Sequence, residues 1–135
     1  MNTLLPFIQI AAGVQMLILF GNFFIPKKLE CRENLVKLSP IVRQVFIIHY
    51  LYILFTLLGF SVLCFFFAGQ LAGASLLGRF LSGFLAIFWG ARVFIQLFYY
   101  DSEFKKKNAV GNFIFVCGFS YLGIVFSVAA LGIIQ

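Results

Sequence analysis

The sequence has very little charge. Of its 135 residues, only 10 % are Asp, Glu, Lys or Arg, whereas 63 % are hydrophobic. A soluble globular domain is about 45–50 % apolar and about 25 % charged. A soluble chain of this length keeps much of its surface in water, so it could not hide so many apolar side chains. The composition therefore excludes a soluble domain and a disordered chain, and it leaves a polytopic membrane protein.

The sequence also has few of the residues that carry chemistry. It has one histidine, His49, and three cysteines, Cys31, Cys64 and Cys117, which form no C-x-x-C pair. One histidine cannot build a metal site alone. The four carboxylates lie outside the middle of the apolar runs, so transport coupled to a membrane-embedded carboxylate is not expected. We therefore predict a protein without catalytic residues, metal or cofactor.

Long apolar runs dominate what is present. A hydrocarbon core about 30 Å thick needs about 20 apolar residues in a helix that rises about 1.5 Å per residue. Four runs meet this requirement, at residues 3–25, 42–67, 77–100 and 110–134. They are continuous rather than alternating, which favours helices over barrel strands. We predict an all-α membrane protein in which residues 1–135 form one bundle of four transmembrane helices with short loops.

Three local signals mark the ends of these helices. Pro26 is expected to end the first helix, since proline has no N–H to donate. Ser39 and Pro40 are expected to start the second, as N-cap and first-turn residue. Residues 101–108 are mostly polar, which predicts a turn between the third and fourth helices.

The basic residues are distributed unevenly between the two sides of the predicted bundle. Arg79 lies near the outer end of the third span, whereas eight basic residues lie at the other end of the bundle, namely Lys27, Lys28, Arg32, Lys37, Arg43, Lys105, Lys106 and Lys107. Because cytoplasmic loops carry an excess of Lys and Arg, we predict that both termini lie outside the cytoplasm. We expect a bacterial inner-membrane protein whose Lys105, Lys106 and Lys107 contact anionic lipids, at about 1 kcal/mol each, and no binding of nucleic acid.

Arg92 is the most unusual residue within a span. It lies eight residues before the end of the third run, about 12 Å from the interface. An ionisable residue at that depth is costly and indicates a functional site. Gln96, Tyr99 and Glu103 follow at positions i+4, i+7 and i+11, which places them on the same helix face, and Trp89 flanks it.

The other spans offer polar side chains at similar depth. These are Gln15 and Asn22 in the first span, His49 and Tyr52 in the second, and Asn112 in the fourth. Each polar group needs a partner in hydrocarbon. We therefore predict a binding pocket open to the cytoplasm, formed by His49, Tyr52, Trp89, Arg92, Gln96, Gln15, Asn22 and Asn112. The alternative is a hydrogen-bonded core without a ligand.

Small residues form stripes on two of the spans. Gly83, Ala86 and Gly90 share one face of the third span, and Gly111 and Gly118 share one face of the fourth. Small residues let helix backbones approach closely, which stabilises helix association in lipid. Packing within the monomer is the first interpretation of these stripes, and an interface with a second copy or a partner is the other.

Three functional hypotheses remain at this point. The first is a non-enzymatic membrane component, such as a subunit, an assembly factor or a homo-oligomer, because loops and catalytic groups are scarce. The second is a carrier or pore for a small anion or amphiphile that uses a pocket around Arg92 and His49. The third is a lipid- or quinone-binding protein, because aromatic side chains could hold a ring or an acyl chain beside a polar headgroup.

Overall fold

Four long helices form the protein, in agreement with the sequence. The computed structural model describes residues 2–134. The long helices are α1 (Leu5–Lys28), α3 (Pro40–Phe66), α5 (Leu76–Phe94) and α7 (Ala109–Leu131), and three short helices, α2 (Cys31–Val36), α4 (Ala68–Leu71) and α6 (Ser102–Lys107), lie in the connections. Within the described range there is no β-strand. All four long helices are long and apolar enough to cross a membrane, so the chain is a multi-pass integral membrane protein.

The long helices pack as two hairpins. Helix α1 packs against α3, α5 packs along α7, and the contact between α1 and α7 joins the two pairs. Helices α3 and α5 meet through Phe60, which lies edge-on to Phe84 and Phe88. The side chains that are almost completely buried include Ile8, Ala11, Leu85, Trp89, Leu122 and Phe126. We call the end that holds α2 and α6 the basic end, because the eight clustered basic residues of the sequence are in or next to these connections.

Helix α1 does not end at Pro26, contrary to the prediction from the sequence. It continues to Lys28 with Pro26 inside it. Proline cannot donate to the carbonyl four residues earlier, which here belongs to Asn22. The Tyr50 hydroxyl of α3 donates to that carbonyl at 2.9 Å instead. A side chain from the neighbouring helix therefore replaces the lost backbone hydrogen bond, and the helix extends past the proline.

The connections at the basic end are more helical than the sequence indicates. The first connection contains α2, and the segment 101–108, predicted to be a polar turn, is largely helix α6. The start of α3 agrees with the prediction, since Ser39 is its N-cap residue and Pro40 is in its first turn. The Ser39 side chain, however, makes no capping hydrogen bond.

At the opposite end, helix α4 is held tightly against α5. A Cβ added to Gly78 would overlap the carbonyl oxygen of Gln70, so only glycine fits at this position. Ser82 Oγ donates to the Leu71 carbonyl at 3.1 Å. Ser75 caps α5, because its Oγ accepts from the backbone N–H of Gly78 at 3.0 Å.

The end of α7 is fixed by Gly132 and Arg79. Gly132 adopts a left-handed conformation with φ of 65°, which glycine tolerates and which ends helices. The helix therefore stops at Leu131, earlier than the predicted limit of residue 134. Arg79 donates from Nε to the Ala130 carbonyl and from Nη2 to the Leu131 carbonyl, both at 3.0 Å. Its guanidinium thus satisfies carbonyls that the helix end leaves without partners.

Candidate functional site

A cavity of about 360 Å³ opens at the basic end, between α1, the C-terminal part of α5, α6 and α7. Its volume falls within the range of about 300–1,000 Å³ that is typical of ligand pockets. Its lining residues with polar side chains are Asn22, Arg92, Gln96, Tyr100, Asp101, Lys105, Asn108 and Asn112. The rest of the wall consists of Ile25, Leu29, Phe104, Gly111, Phe115 and Phe119. We call it the Arg92 cavity.

The Arg92 guanidinium lies against a hydroxyl and two aromatic rings. Its Nη1 donates to the Tyr100 hydroxyl at 2.9 Å. Its Cζ lies 5.1 Å from the centroid of Phe119 and 5.9 Å from that of Tyr100, which is within the range of a cation–π interaction. These partners are all neutral. The positive charge of Arg92 therefore lies in the half-buried wall of the cavity, and the groups that contact it there are neutral.

A π-helical turn at Ile95–Tyr99 extends α5 and sets the register of this wall. The backbone N–H of Tyr100 donates to the carbonyl of Ile95, five residues earlier, at 3.2 Å. The wider turn brings Tyr100, rather than the predicted Tyr99, to the side of Arg92. Tyr99 is 80 % exposed. Tyr99 and Glu103 are both absent from the cavity lining, so the predicted stripe from Arg92 to Glu103 is broken after Gln96.

Lys105 connects α6 to the same π-helical turn. Its Nζ donates to the carbonyl of Leu97 at 2.8 Å. Leu97 is near the C-terminal end of the helical segment, where carbonyls lack a partner within the helix. The sequence suggested a lipid contact for this lysine, whereas the structure also places it in the cavity wall. Lys106 and Lys107 are exposed at the basic end.

Gln96 and Asn112 form an amide pair across the cavity wall. Gln96 Nε2 donates to Asn112 Oδ1 at 2.7 Å, and Gln96 is 9 % exposed. This hydrogen bond joins the π-helical turn to the first turn of α7. Asn22 lines the cavity from α1 and donates from Nδ2 to the Ile18 carbonyl at 2.7 Å. Asn22, Arg92, Gln96 and Asn112 therefore converge, although they come from three different helices.

The other four predicted pocket residues lie elsewhere. His49 is exposed on α3, where its Nδ1 donates to the Val45 carbonyl at 2.8 Å. Tyr52 is 67 % exposed on the same helix. Gln15 is fully buried between α1 and α3, and its Nε2 donates to Cys64 Sγ at 3.2 Å. The structure thus brings neither His49, Tyr52 nor Gln15 to the lining of the Arg92 cavity.

Trp89, the last of the four, lies directly behind the cavity wall. It is 1 % exposed, and its ring stacks on that of Phe119 with a centroid distance of 5.5 Å. Phe119 in turn stacks on Phe115 at 5.7 Å. The three rings form a continuous aromatic layer, and Arg92 lies over its central member. Within residues 2–134, the Trp89 Nε1 is buried without a hydrogen-bond partner.

The predicted small-residue stripes make contacts inside the monomer. A Cβ placed on Gly83 would lie 3.7 Å from the Cβ of Ala130, and one on Gly118 would lie 3.7 Å from Val14. These contacts hold α7 against α5 and α1. Ala86 and Gly90 line a shallow groove between α5 and α7, and Gly111 lines the Arg92 cavity. Close packing of α7 therefore accounts for Gly83 and Gly118.

Several lining residues were not among the predicted site residues, namely Tyr100, Asp101, Asn108, Phe115 and Phe119. Asn108, the N-cap residue of α7, and Phe115 and Phe119 on α7 could have been found from Asn112, because helix positions three or four residues apart, and those two turns apart, share a face. Tyr100 could not, because its place depends on the π-helical turn.

Comparison of the chain with known protein families, with curated proteins and with solved structures finds no match. Among residues 2–134, no group of three or more His, Cys, Asp or Glu side chains is placed to hold a metal ion. The chemistry of the Arg92 cavity is therefore the basis for any functional conclusion.

Proposed function

We propose that the protein is a non-enzymatic membrane component that binds an amphiphilic ligand in the Arg92 cavity. The lining of the cavity supports this proposal. The lining combines a guanidinium and amide groups with aromatic and aliphatic side chains. Binding pockets typically combine an apolar wall with a few polar groups that orient the ligand. An amphiphile meets both requirements, because its headgroup can bind the guanidinium and amide groups while its apolar part packs against aromatic and aliphatic side chains.

The geometry favours binding over passage across the membrane. Every lining residue comes from the C-terminal part of α1 or its C-cap residue Leu29, from the segment 92–108 or from the first half of α7, so the cavity is confined to the basic end. His49, which the carrier hypothesis paired with Arg92, is exposed on α3 and is absent from the lining. A carrier would need a path for its substrate beyond this cavity.

Native mass spectrometry of the protein, extracted gently from its own membrane, tests the proposal. We expect the chain to carry one small molecule, and we expect Arg92→Gln to lose most of this adduct. Arg43→Gln is the matched control, because it removes an arginine from the same end at a position outside the lining.

Two outcomes of that measurement would contradict the proposal. If the wild-type protein carried no bound small molecule, the proposal of a ligand-binding cavity would be wrong. An adduct retained by Arg92→Gln and Arg43→Gln alike would place the ligand outside the Arg92 cavity. A stable mass that includes other subunits or a second copy, without an adduct, would support the hypothesis of a subunit, assembly factor or homo-oligomer instead.

A further inference from the structure

We infer that the ligand of the Arg92 cavity is a monoanionic amphiphile, a molecule with one negatively charged oxygen headgroup on an apolar chain. This inference rests on the proposed function and specifies the chemical class of the ligand. The headgroup binds at Arg92, and the chain lies against Phe115, whose ring stacks on the buried ring of Phe119. The headgroup chemistry is that of a carboxylate or a phosphate diester, each of which carries one negative charge.

The charged lining residues favour a ligand with a single negative charge. Arg92 and Lys105 are cationic and Asp101 is anionic, which leaves one net positive charge in the wall. Arg92 donates to a hydroxyl, and Lys105 donates to a backbone carbonyl. Charges in a low-dielectric environment are stabilised by an opposite charge. A single negative charge neutralises the wall, whereas a dianion would leave an excess negative charge.

The donors at Arg92 fit the same headgroup. A guanidinium has five N–H donors in a planar fork that matches carboxylate and phosphate oxygens, and the Tyr100 hydroxyl accepts from one of its nitrogens. Asn112 offers a further donor, since its Oδ1 accepts from Gln96 while its Nδ2 is not used in that bond. A neutral ring such as a quinone would accept hydrogen bonds here, but it would leave the charge of Arg92 without compensation.

The dimensions of the cavity favour a headgroup and the first part of one chain. Its volume of about 360 Å³ is near the lower end of the range for ligand pockets, which is about 300–1,000 Å³. The cavity is partly open, so the remainder of the chain continues into the surroundings. Phe115 is half-buried and presents the aromatic surface along which the first methylenes pack, while the buried ring of Phe119 stacks on it at 5.7 Å.

Trp89 supplies a direct reporter for this site. It is the only tryptophan of the sequence, and it lies behind Phe119 with 1 % of its surface exposed. Bromine atoms quench indole fluorescence at short range. A brominated chain bound along Phe115 is separated from Trp89 by the ring of Phe119 alone and therefore quenches it, whereas brominated molecules in the surrounding micelle have little access to the buried indole.

The experiment is a fluorescence titration of the full-length protein in uncharged detergent micelles. Two brominated probes carry one negative charge, a dibrominated stearate and a dibrominated phosphatidylglycerol. Their uncharged counterparts are the methyl ester of the same fatty acid and a dibrominated phosphatidylcholine. We expect saturable quenching by at least one anionic probe, at a concentration at least tenfold lower than for its neutral counterpart. The anionic probe that binds identifies the headgroup as a carboxylate or a phosphate diester.

Three variants connect this binding to the cavity. We expect Arg92→Gln to weaken binding of the anionic probe roughly 10- to 100-fold, as expected for loss of a charged hydrogen bond. Arg92→Lys retains the charge and should bind more tightly than Arg92→Gln. Arg43→Gln should bind like the wild type. The emission maximum of Trp89 reports whether each variant retains the buried environment of the folded protein.

The outcomes separate this inference from the proposed function. Saturable quenching of equal strength by charged and neutral probes would overturn the monoanionic class but would leave the amphiphile-binding cavity in place. Equal binding by Arg92→Gln and Arg92→Lys would also overturn it, because the charge would then have no role. Absence of saturable quenching by all four probes would overturn the proposed function as well. Full competition by acetate or inorganic phosphate alone would show that the apolar chain does not contribute.

Discussion

Arg92 and Tyr100 are eight residues apart, and yet Arg92 Nη1 lies 2.9 Å from the Tyr100 hydroxyl. In a regular α-helix, the residue two turns after Arg92 on the same face is Tyr99. The π-helical turn at Ile95–Tyr99 adds one residue to this interval, so Tyr100 takes that place. Short π-helical turns are frequent at functional sites. Here the turn brings a hydroxyl and an aromatic ring to the charged group of the Arg92 cavity.

The two adjacent tyrosines test this register directly. We expect Tyr100→Phe to lower the free energy of unfolding by about 0.5–1.5 kcal/mol, because Arg92 loses a hydrogen-bond partner. Tyr99→Phe should have almost no effect, because Tyr99 is 80 % exposed. Unfolding in mixed micelles with increasing denaturing detergent measures both values. An equal loss of stability in the two variants would contradict the π-helical register.

Pro26 and Tyr50 should be energetically coupled. In the wild type, Tyr50→Phe leaves the carbonyl of Asn22 without its donor, at a cost of about 0.5–1.5 kcal/mol. In a Pro26→Ala background, the restored backbone N–H can donate to the same carbonyl, so Tyr50→Phe should cost less. A double-mutant cycle of unfolding free energies measures this difference. Additive effects of the two substitutions would show that Tyr50 does not compensate for the proline.

Gly78 should not tolerate any larger residue. A Cβ on Gly78 would overlap the backbone carbonyl oxygen of Gln70, which cannot move without displacing α4. We expect Gly78→Ala to destabilise the protein by about 1–3 kcal/mol, the usual cost of overpacking. Gly59→Ala is the control, because no atom lies within 4 Å of the added Cβ and alanine favours a helix by up to about 1 kcal/mol. Similar thermal stability of the two variants would contradict the close approach of α4 and α5.

The predicted orientation can be tested by chemical labelling. If the basic end lies in the cytoplasm, Cys31 in α2 should react with a membrane-impermeant maleimide only after spheroplasts are permeabilised. A cysteine introduced by Ala74→Cys, in a Cys31→Ser background, should react in intact spheroplasts, because residue 74 is exposed at the opposite end. Labelling of Cys31 in intact spheroplasts would reverse the orientation derived from the basic residues.

The number and the approximate limits of the helices could be predicted because they depend on the lengths of apolar runs. The side of α3 that is buried could not be predicted from the sequence. This helix is apolar on all sides, and a helix without a polar face carries little information about which side is buried. The structure buries Leu54, Leu57, Ser61 and Cys64. Tyr50 continues that face toward the basic end, and His49 is rotated from it by about 100°.

The candidate site could be predicted in part, for a related reason. Polar residues in hydrocarbon need partners. This rule predicted a cluster that included Arg92, Gln96, Asn22 and Asn112, and these four residues line the Arg92 cavity. It did not distinguish a hydrogen bond to another helix from one to the same helix. His49 Nδ1 donates a hydrogen bond to the carbonyl of Val45, one turn earlier on the same helix. A polar residue whose hydrogen-bond partner is on its own helix can therefore remain outside the cavity.

The division of the bundle into two hairpins has a consequence for the order of folding. Asn22 belongs to the hairpin of α1 and α3, whereas Arg92, Gln96 and Asn112 belong to the hairpin of α5 and α7. The complete Arg92 cavity forms only when the two hairpins have come together along α1 and α7. A molecule that occupies the cavity binds the joined form preferentially and stabilises it by mass action. Occupancy of the cavity would therefore raise the stability of the contact between the two hairpins as well as that of the cavity itself.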